Sequence, residues 1–350
     1  MKKSEFNIKS LVRENVLRLK PYSSAREEYK DFENEMIFLD ANENPFENGV
    51  NRYPDPQQIK VKKVLATQKG VKLENILLGN GSDEVLDLIY RAFCEPAIDN
   101  VITLPPTYGM YKVLADINNI ENREVLLTKK FQLNVDSISS TINAFSKIIF
   151  ICSPNNPTGN IFKSSDIEKL LNNFNGLIVI DEAYIDFSSE ESWLDKLSNY
   201  PNLIVTQTLS KAYGLAGVRL GICYASVEII EILNKIKPPY NVNELTQKRV
   251  LKRLINKKEV IDEVKLIKNG KSNLIEQLLE IKYITKIYPS DANFVLIKVD
   301  NADKRYNQIL EKGIVIRNRT TQPLCKNTLR LTIGTSRENE ILIKILKEII

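Results

Sequence analysis

Apolar residues follow two rhythms along this chain. From about residue 76 onward, short unbroken apolar runs are followed by stretches in which apolar residues return every three to four positions. The first pattern suits strands buried on both faces, the second amphipathic helices. Strands are predicted at 76–78, 101–104, 148–152, 177–181 and 203–208, with a helix over 84–93 after the first. Strands alternating with helices imply βαβ units and a mostly parallel, doubly wound sheet of the α/β class. After Tyr240 a long charged helical stretch leads to three short strand-like runs, 293–298, 313–317 and 329–333, which predicts a smaller α+β domain. The boundaries fall near Asn44 and near Pro238-Pro239. They give a large domain over 45–238 and a small domain over 239–350 completed by the N-terminal arm, 1–44. Within that arm Ile8, Leu11, Val12, Val16 and Leu19 recur at helical spacing and stop before Pro21, which predicts a surface-packed helix.

Composition narrows the class. With 43% apolar and 27% charged residues in 350, the chain reads as an ordinary soluble globular protein. No run approaches the ~20 apolar residues of a membrane span. Glu5 and Glu14 argue against an organellar transit peptide, because such peptides avoid acids. The net charge of +5 is spread out, and the densest basic stretch, 248–271, is interleaved with Glu259, Asp262 and Glu263. That is a solvated helix face and no nucleic-acid surface. Cys94, Cys152, Cys223 and Cys325 lie far apart, so a reducing cytoplasm is expected. The chain has no histidine. Ser-His-Asp triads, histidine bases and histidine-ligated metals are thereby excluded, and a lysine with a lowered pKa is the natural proton carrier near neutral pH.

Open parallel sheets bind ligands beyond the carboxyl ends of their strands. Five predicted strands here end in chemically useful residues: Gly79-Asn80-Gly81-Ser82-Asp83, Pro105-Pro106-Thr107-Tyr108-Gly109, Ser153-Pro154-Asn155-Asn156-Pro157-Thr158-Gly159, Asp181-Glu182-Ala183-Tyr184, and Ser210-Lys211. Neighbouring strands would bring all five to one crevice. The glycines at 79 and 81 suit either backbone approach to an anion at a helix start or a plain tight turn capped by Ser82. Asp181 leaves a buried strand and needs a partner. It suits a catalytic base, a metal ligand, a partner for a protonated ring nitrogen, or a structural cap. Pro154 and Pro157 hold Ser153 and Asn156 out of helical geometry, which stiffens the loop carrying the Asn156 amide.

The segment Thr208-Leu209-Ser210-Lys211-Ala212-Tyr213-Gly214-Leu215-Ala216-Gly217-Val218-Arg219 resembles the pyridoxal 5′-phosphate (PLP) attachment signature of the class I/II, fold-type I aminotransferases. The resemblance extends over nearly the whole chain and is closest to the histidinol-phosphate aminotransferase family. It rests on Pro21-Tyr22-Ser23-Ser24-Ala25-Arg26, Leu39-Asp40-Ala41-Asn42-Glu43-Asn44-Pro45, Asn51-Arg52-Tyr53-Pro54-Asp55, residues 79–84, 106–111, 153–159 and 181–187, Arg317, and Leu329-Arg330-Leu331-Thr332-Ile333-Gly334-Thr335.

The resemblance implies a fold-type I transferase whose large domain binds PLP. Lys211 would hold the cofactor as a Schiff base and shuttle a proton. Asp181 would pair with the ring nitrogen, Asn156 and Tyr184 with the ring 3-oxygen, and Tyr108 would stack on the ring. Ser210, Arg219 and the backbone of Ser82 and Asp83 would hold the phosphate, with the side chains of Asp83 and Glu84 turned away. Tyr53 would reach that phosphate from a second subunit, implying a homodimer. Arg330 would bind glutamate's carboxylate in one half-reaction and a substrate phosphate in the other, assisted by Arg317 and Tyr22, with Asn44 also at the substrate. The implied reaction joins L-histidinol phosphate and 2-oxoglutarate to imidazole acetol phosphate and glutamate. An aromatic amino-acid aminotransferase and a threonine-phosphate decarboxylase on the same scaffold are the alternatives.

Overall fold

The computed structural model describes residues 6–21 and 37–349. Seven strands form the large sheet: β1 (Ile76–Gly79), β2 (Asn100–Thr103), β3 (Glu121–Glu124), β4 (Ser146–Cys152), β5 (Leu177–Asp181), β6 (Leu203–Thr208) and β7 (Gly221–Tyr224). Their order is β1-β7-β6-β5-β4-β2-β3. β2 to β6 run parallel to their neighbours, while β7 lies antiparallel between β6 and β1. The central strands are buried on both faces, as an apolar run without alternation requires.

Two strands of the large sheet went unread in the sequence for physical reasons. β3, Glu-Asn-Arg-Glu, is a polar edge strand with no apolar rhythm, and its charges discourage pairing with another chain. β7 is four residues long and begins at Gly221, where any side chain would run into the backbone of Gly81 and Ser82. The glycine lets β7 press against the turn after β1.

The helix Ser82–Phe93 follows that turn and buries Val85, Leu86, Leu88, Ile89, Tyr90 and Phe93 against the sheet. Each such side chain contributes about 1.5–3 kcal/mol on leaving water. Beneath the sheet Phe150 stacks between Tyr90 and Tyr111, with centroids 5.1 and 5.0 Å away. The Tyr90 hydroxyl donates to the Tyr111 carbonyl at 2.7 Å, so the buried phenol costs little.

The first described stretch of the N-terminal arm, residues 6–21, grouped by the sequence pattern with the small domain, packs instead on the large sheet's helices. Leu11, Val12 and Val16 share a core with Ser82–Phe93 and the helix Val227–Ile236. The arm forms two short turns, Ile8–Ser10 and Glu14–Arg18, because the Arg13 amide donates to the Ala92 carbonyl at 3.0 Å.

The second sheet contains β8 (Ile284–Ile287), β9 (Phe294–Val299), β10 (Arg317–Asn318) and β11 (Thr328–Thr332), antiparallel in the order β10-β11-β9-β8. One face carries Val295, Ile297, Leu329 and Leu331, which pack with the helices Lys257–Leu278, Ala302–Glu311 and Ser336–Glu348. The other carries Phe294 and Leu296, which join the large core, together with Arg330, registered against Leu296 and Arg317. The two domains therefore meet along this second face.

Candidate active site

The five nominated strand ends do converge. They line a cavity of about 130 Å³ whose walls include Ser82, Asp83, Tyr108, Asn156, Asp181, Tyr184, Ser210, Lys211 and Arg219. β4, β5 and β6 are adjacent and supply Asn156, Asp181 and Lys211, and the ends of β1 and β2 close the two sides.

Asp181 is the last residue of β5 and is buried. Its carboxylate accepts from the Tyr111 hydroxyl at 2.7 Å and from the Ala183 amide at 3.1 Å. Burial pushes its pKa up, and those two donors oppose the rise. No cation among the described residues forms an ion pair with it. A positive group entering the cavity would keep it ionised.

Lys211 lies just beyond β6, open at the cavity mouth. Its ammonium is 5.9 Å from the centre of the Tyr184 ring. Loss of hydration lowers its pKa, and the Arg330 charge lowers it further, against the opposing pull of Asp181. The chain thus maintains an amine that loses its proton more readily than a surface lysine.

An anion cradle lies at one end of the cavity. The helix Ser82–Phe93 starts with no side-chain cap after Gly81, whose φ of 81° favours glycine. A side chain there would collide with the Arg219 guanidinium. The Gly81 amide donates to the Arg219 carbonyl at 3.2 Å, which ties this turn to the lysine segment. Ser210 is fixed by its amide donating to Thr208 Oγ1 at 3.1 Å. Glu84 turns away, accepting from the Asn80 amide and from Asn241 Nδ2 at 2.5 and 2.7 Å. Asp83, expected to turn away as well, does not: it lines the cavity and accepts from the Tyr108 hydroxyl at 3.0 Å. Tyr108 stands edge-on to Tyr111, and burial together with Asp83 raises its pKa.

On the small-domain side, Arg330 Nη1 donates to Asn156 Oδ1 at 2.5 Å, and Asn156 Nδ2 donates to the Tyr184 hydroxyl at 3.4 Å. The Arg330 guanidinium lies 5.1 Å from the Phe294 ring centre. Its pKa is pushed down to about 10 by burial and by Arg319. Arg317 is its cross-strand neighbour and is exposed. Tyr22 lies outside the described residues. Asn44 and Tyr53 sit away from this cavity: Asn44 is exposed and accepts from the Phe46 amide at 2.9 Å, and Tyr53 stacks on Tyr240 at 4.4 Å. Arg52 pairs with Glu43 at 2.9 Å in the same segment, where Ile37, Leu39, Phe46 and Val50 are exposed.

Two site residues were given no role by the sequence: Tyr111 lies inside the matched block 106–111, and Arg319 lies in none. Tyr111, which holds Asp181, looks like any buried aromatic on the helix Met110–Ile117. Arg319 was legible only as the alternation Arg317-Asn318-Arg319, which on a strand sets both arginines on one face.

The family model for class I and II aminotransferases matches residues 25–346. The chain is 64% identical over 343 residues to the histidinol-phosphate aminotransferase of Flavobacterium johnsoniae, covering 98% of each. To that of Christiangramia forsetii it is 65% identical over 345 residues, covering 99% of each. Among solved structures it resembles histidinol-phosphate aminotransferase from Sinorhizobium meliloti in complex with PLP, with a TM-score of 0.78 at 22% identity, covering 85% of this chain and 82% of that one.

Proposed function

Since the chain belongs to the class I and II aminotransferase family, we propose that it moves an amino group between L-histidinol phosphate and 2-oxoglutarate, giving imidazole acetol phosphate and glutamate in histidine biosynthesis. It is a PLP-dependent aminotransferase. One observation carries the substrate assignment: the arginine face above the cavity has no carboxylate partner among the described residues, so it is built for an incoming anion.

The residues present fit PLP. Its phosphate calls for uncapped amides and a nearby guanidinium, and the turn at Gly81 with Ser210 and Arg219 supplies them. Its ring nitrogen calls for an ionised carboxylate, the role of Asp181. Its aldehyde calls for a readily deprotonated amine, the role of Lys211. When bound, the cofactor supplies an electron-poor ring that accepts charge as a Cα–H bond breaks.

The protein's residues do the rest. Lys211 Nζ takes the substrate proton and returns it, which requires the lowered pKa its surroundings give. Tyr111 and the Ala183 amide hold Asp181 in one orientation. Asn156 and Tyr184 provide a linked amide and hydroxyl at the cavity wall, and Tyr108 bounds the ring site. Arg330 receives the carboxylate of glutamate in one half-reaction and the phosphate in the other, because its planar fork matches both. Arg317, the cross-strand neighbour of Arg330, assists.

The exposed apolar segment around Tyr53 supports a homodimer in which Tyr53 of one copy serves the other's phosphate cradle. We assign the enzyme to the cytoplasm, in keeping with four unpaired buried cysteines.

The test is direct. Purified protein is assayed with 2-oxoglutarate against histidinol phosphate, phenylalanine and threonine phosphate, following glutamate and carbon dioxide. Glutamate formed chiefly from histidinol phosphate is expected; preference for phenylalanine, or release of carbon dioxide from threonine phosphate, would refute the assignment.

A further inference from the structure

Arg319 belongs to none of the motifs, yet the fold sets it beside the two arginines that do. Arg317 pairs with Arg330 across β10 and β11, and the Arg319 amide donates to the Thr328 carbonyl at 2.9 Å, extending the ladder. Residues 317, 319 and 330 therefore share the face turned toward the cavity. Arg319 is half-buried, and its charge reaches both Arg330 and the Tyr184 hydroxyl. The Nε atoms of Arg319 and Arg330 are both buried without a hydrogen-bond partner. None of the three arginines has a carboxylate within ion-pair distance among the described residues. Three like charges on one face repel one another, and the arrangement becomes favourable when a multiply charged anion lies between them.

We propose that Arg319 is a specificity-determining residue, which with Arg330 forms a two-arginine clamp for the substrate's phosphate dianion. The inference rests on the phosphate-bearing substrate proposed above. A carboxylate has two oxygens and one charge, and a single guanidinium fork satisfies it. A phosphate monoester has three terminal oxygens and close to two charges at neutral pH, which leaves acceptors for a second fork. Arg330 therefore serves both amino donors, and Arg319 acts on the phosphate alone.

The holoenzymes of wild type, Arg319→Gln and Arg319→Lys are compared in each half-reaction separately, by the cofactor's absorbance. Inorganic phosphate is added as a competitor in the glutamate half-reaction. For Arg319→Gln the KM for histidinol phosphate and the inhibition constant for phosphate should each rise about tenfold or more, with glutamate changed by less than about threefold. Arg319→Lys keeps the charge without the fork and should recover part of both losses. Equal losses on the two donors, or unchanged inhibition by phosphate in a folded variant, would overturn the clamp. Inorganic phosphate tests it independently of the substrate. An enzyme indifferent to histidinol phosphate, yet losing phosphate inhibition in Arg319→Gln, would sink the proposed reaction and uphold the clamp.

Discussion

The small domain contains two arginine sites in opposite condition. On its outer side Arg305 is saturated: Nε and Nη2 hold Asp300 at 2.9 and 2.7 Å, Nη1 donates to the Ile349 carbonyl at 2.8 Å, and the guanidinium lies 4.0 Å from the Tyr283 ring centre. On the face toward the cavity, Arg319 and Arg330 keep buried nitrogens with no acceptor. The end of β5 repeats the contrast in Asp181, its last residue, and Glu182, which follows it. Glu182 is fully bonded, accepting from Ser192 Oγ at 2.5 Å, the Trp193 amide at 2.7 Å and Gln207 Nε2 at 2.9 Å. Asp181 faces the cavity with two donors and no cation. Arg305 and Glu182 are saturated and hold the fold together; Arg319, Arg330 and Asp181 face the cavity with capacity left for a ligand, because a buried donor left unpaired is costly.

The contrast can be broken at several points. Lys211→Ala should lower both half-reactions by roughly 10⁴-fold or more while leaving the fold intact, measured by single-turnover kinetics and thermal unfolding. Retained turnover would remove the lysine from the chemistry. Arg330→Ala should reduce kcat/KM for glutamate and for histidinol phosphate together, by about 10²–10³-fold. A loss confined to one donor would end its shared role.

Glu182 sharpens the comparison through pH. Burial raises its pKa from 4.5 to about 7. Between those values the folded chain retains a proton that the unfolded chain releases, so this contribution is fully present below pH 4.5 and is lost as pH rises through about 7. It amounts to roughly 3 kcal/mol. Glu182→Gln should flatten the decline of stability over that window in denaturant titrations; an unchanged slope would show that Glu182 is ionised throughout.

Arg305→Ala should cost about 2 kcal/mol of stability, since its partner Asp300 is partly exposed, and leave the KM of both donors unchanged. A change in KM would mean that the outer face communicates with the site. The smallest effect is expected of Tyr111→Phe, which removes one bond to Asp181 and should slow the chemical step by about tenfold with KM held.

The sequence by itself determined the strands whose residues are buried on both faces, because an unbroken apolar run admits few other environments. β5 and β6 fall where the pattern put them, at 177–181 and 203–208. It also determined the chemistry: without histidine, a lysine at a strand end among small residues had few rivals as the proton carrier. Packing decided the rest. The edge strand β3 and the glycine-led β7 exist because neighbours pair with them, and no local rhythm encodes that. Leu11, Val12 and Val16 of the N-terminal arm joined the core of the large sheet's helices because the helix Ser82–Phe93 offered them an apolar surface. Asp83 stayed in the cavity because the Tyr108 hydroxyl, 25 positions later in the chain, reaches it there. Arg319 gained its setting only when β10 paired with β11, since the charges that share a face follow from strand register, a property of two segments together and of neither alone.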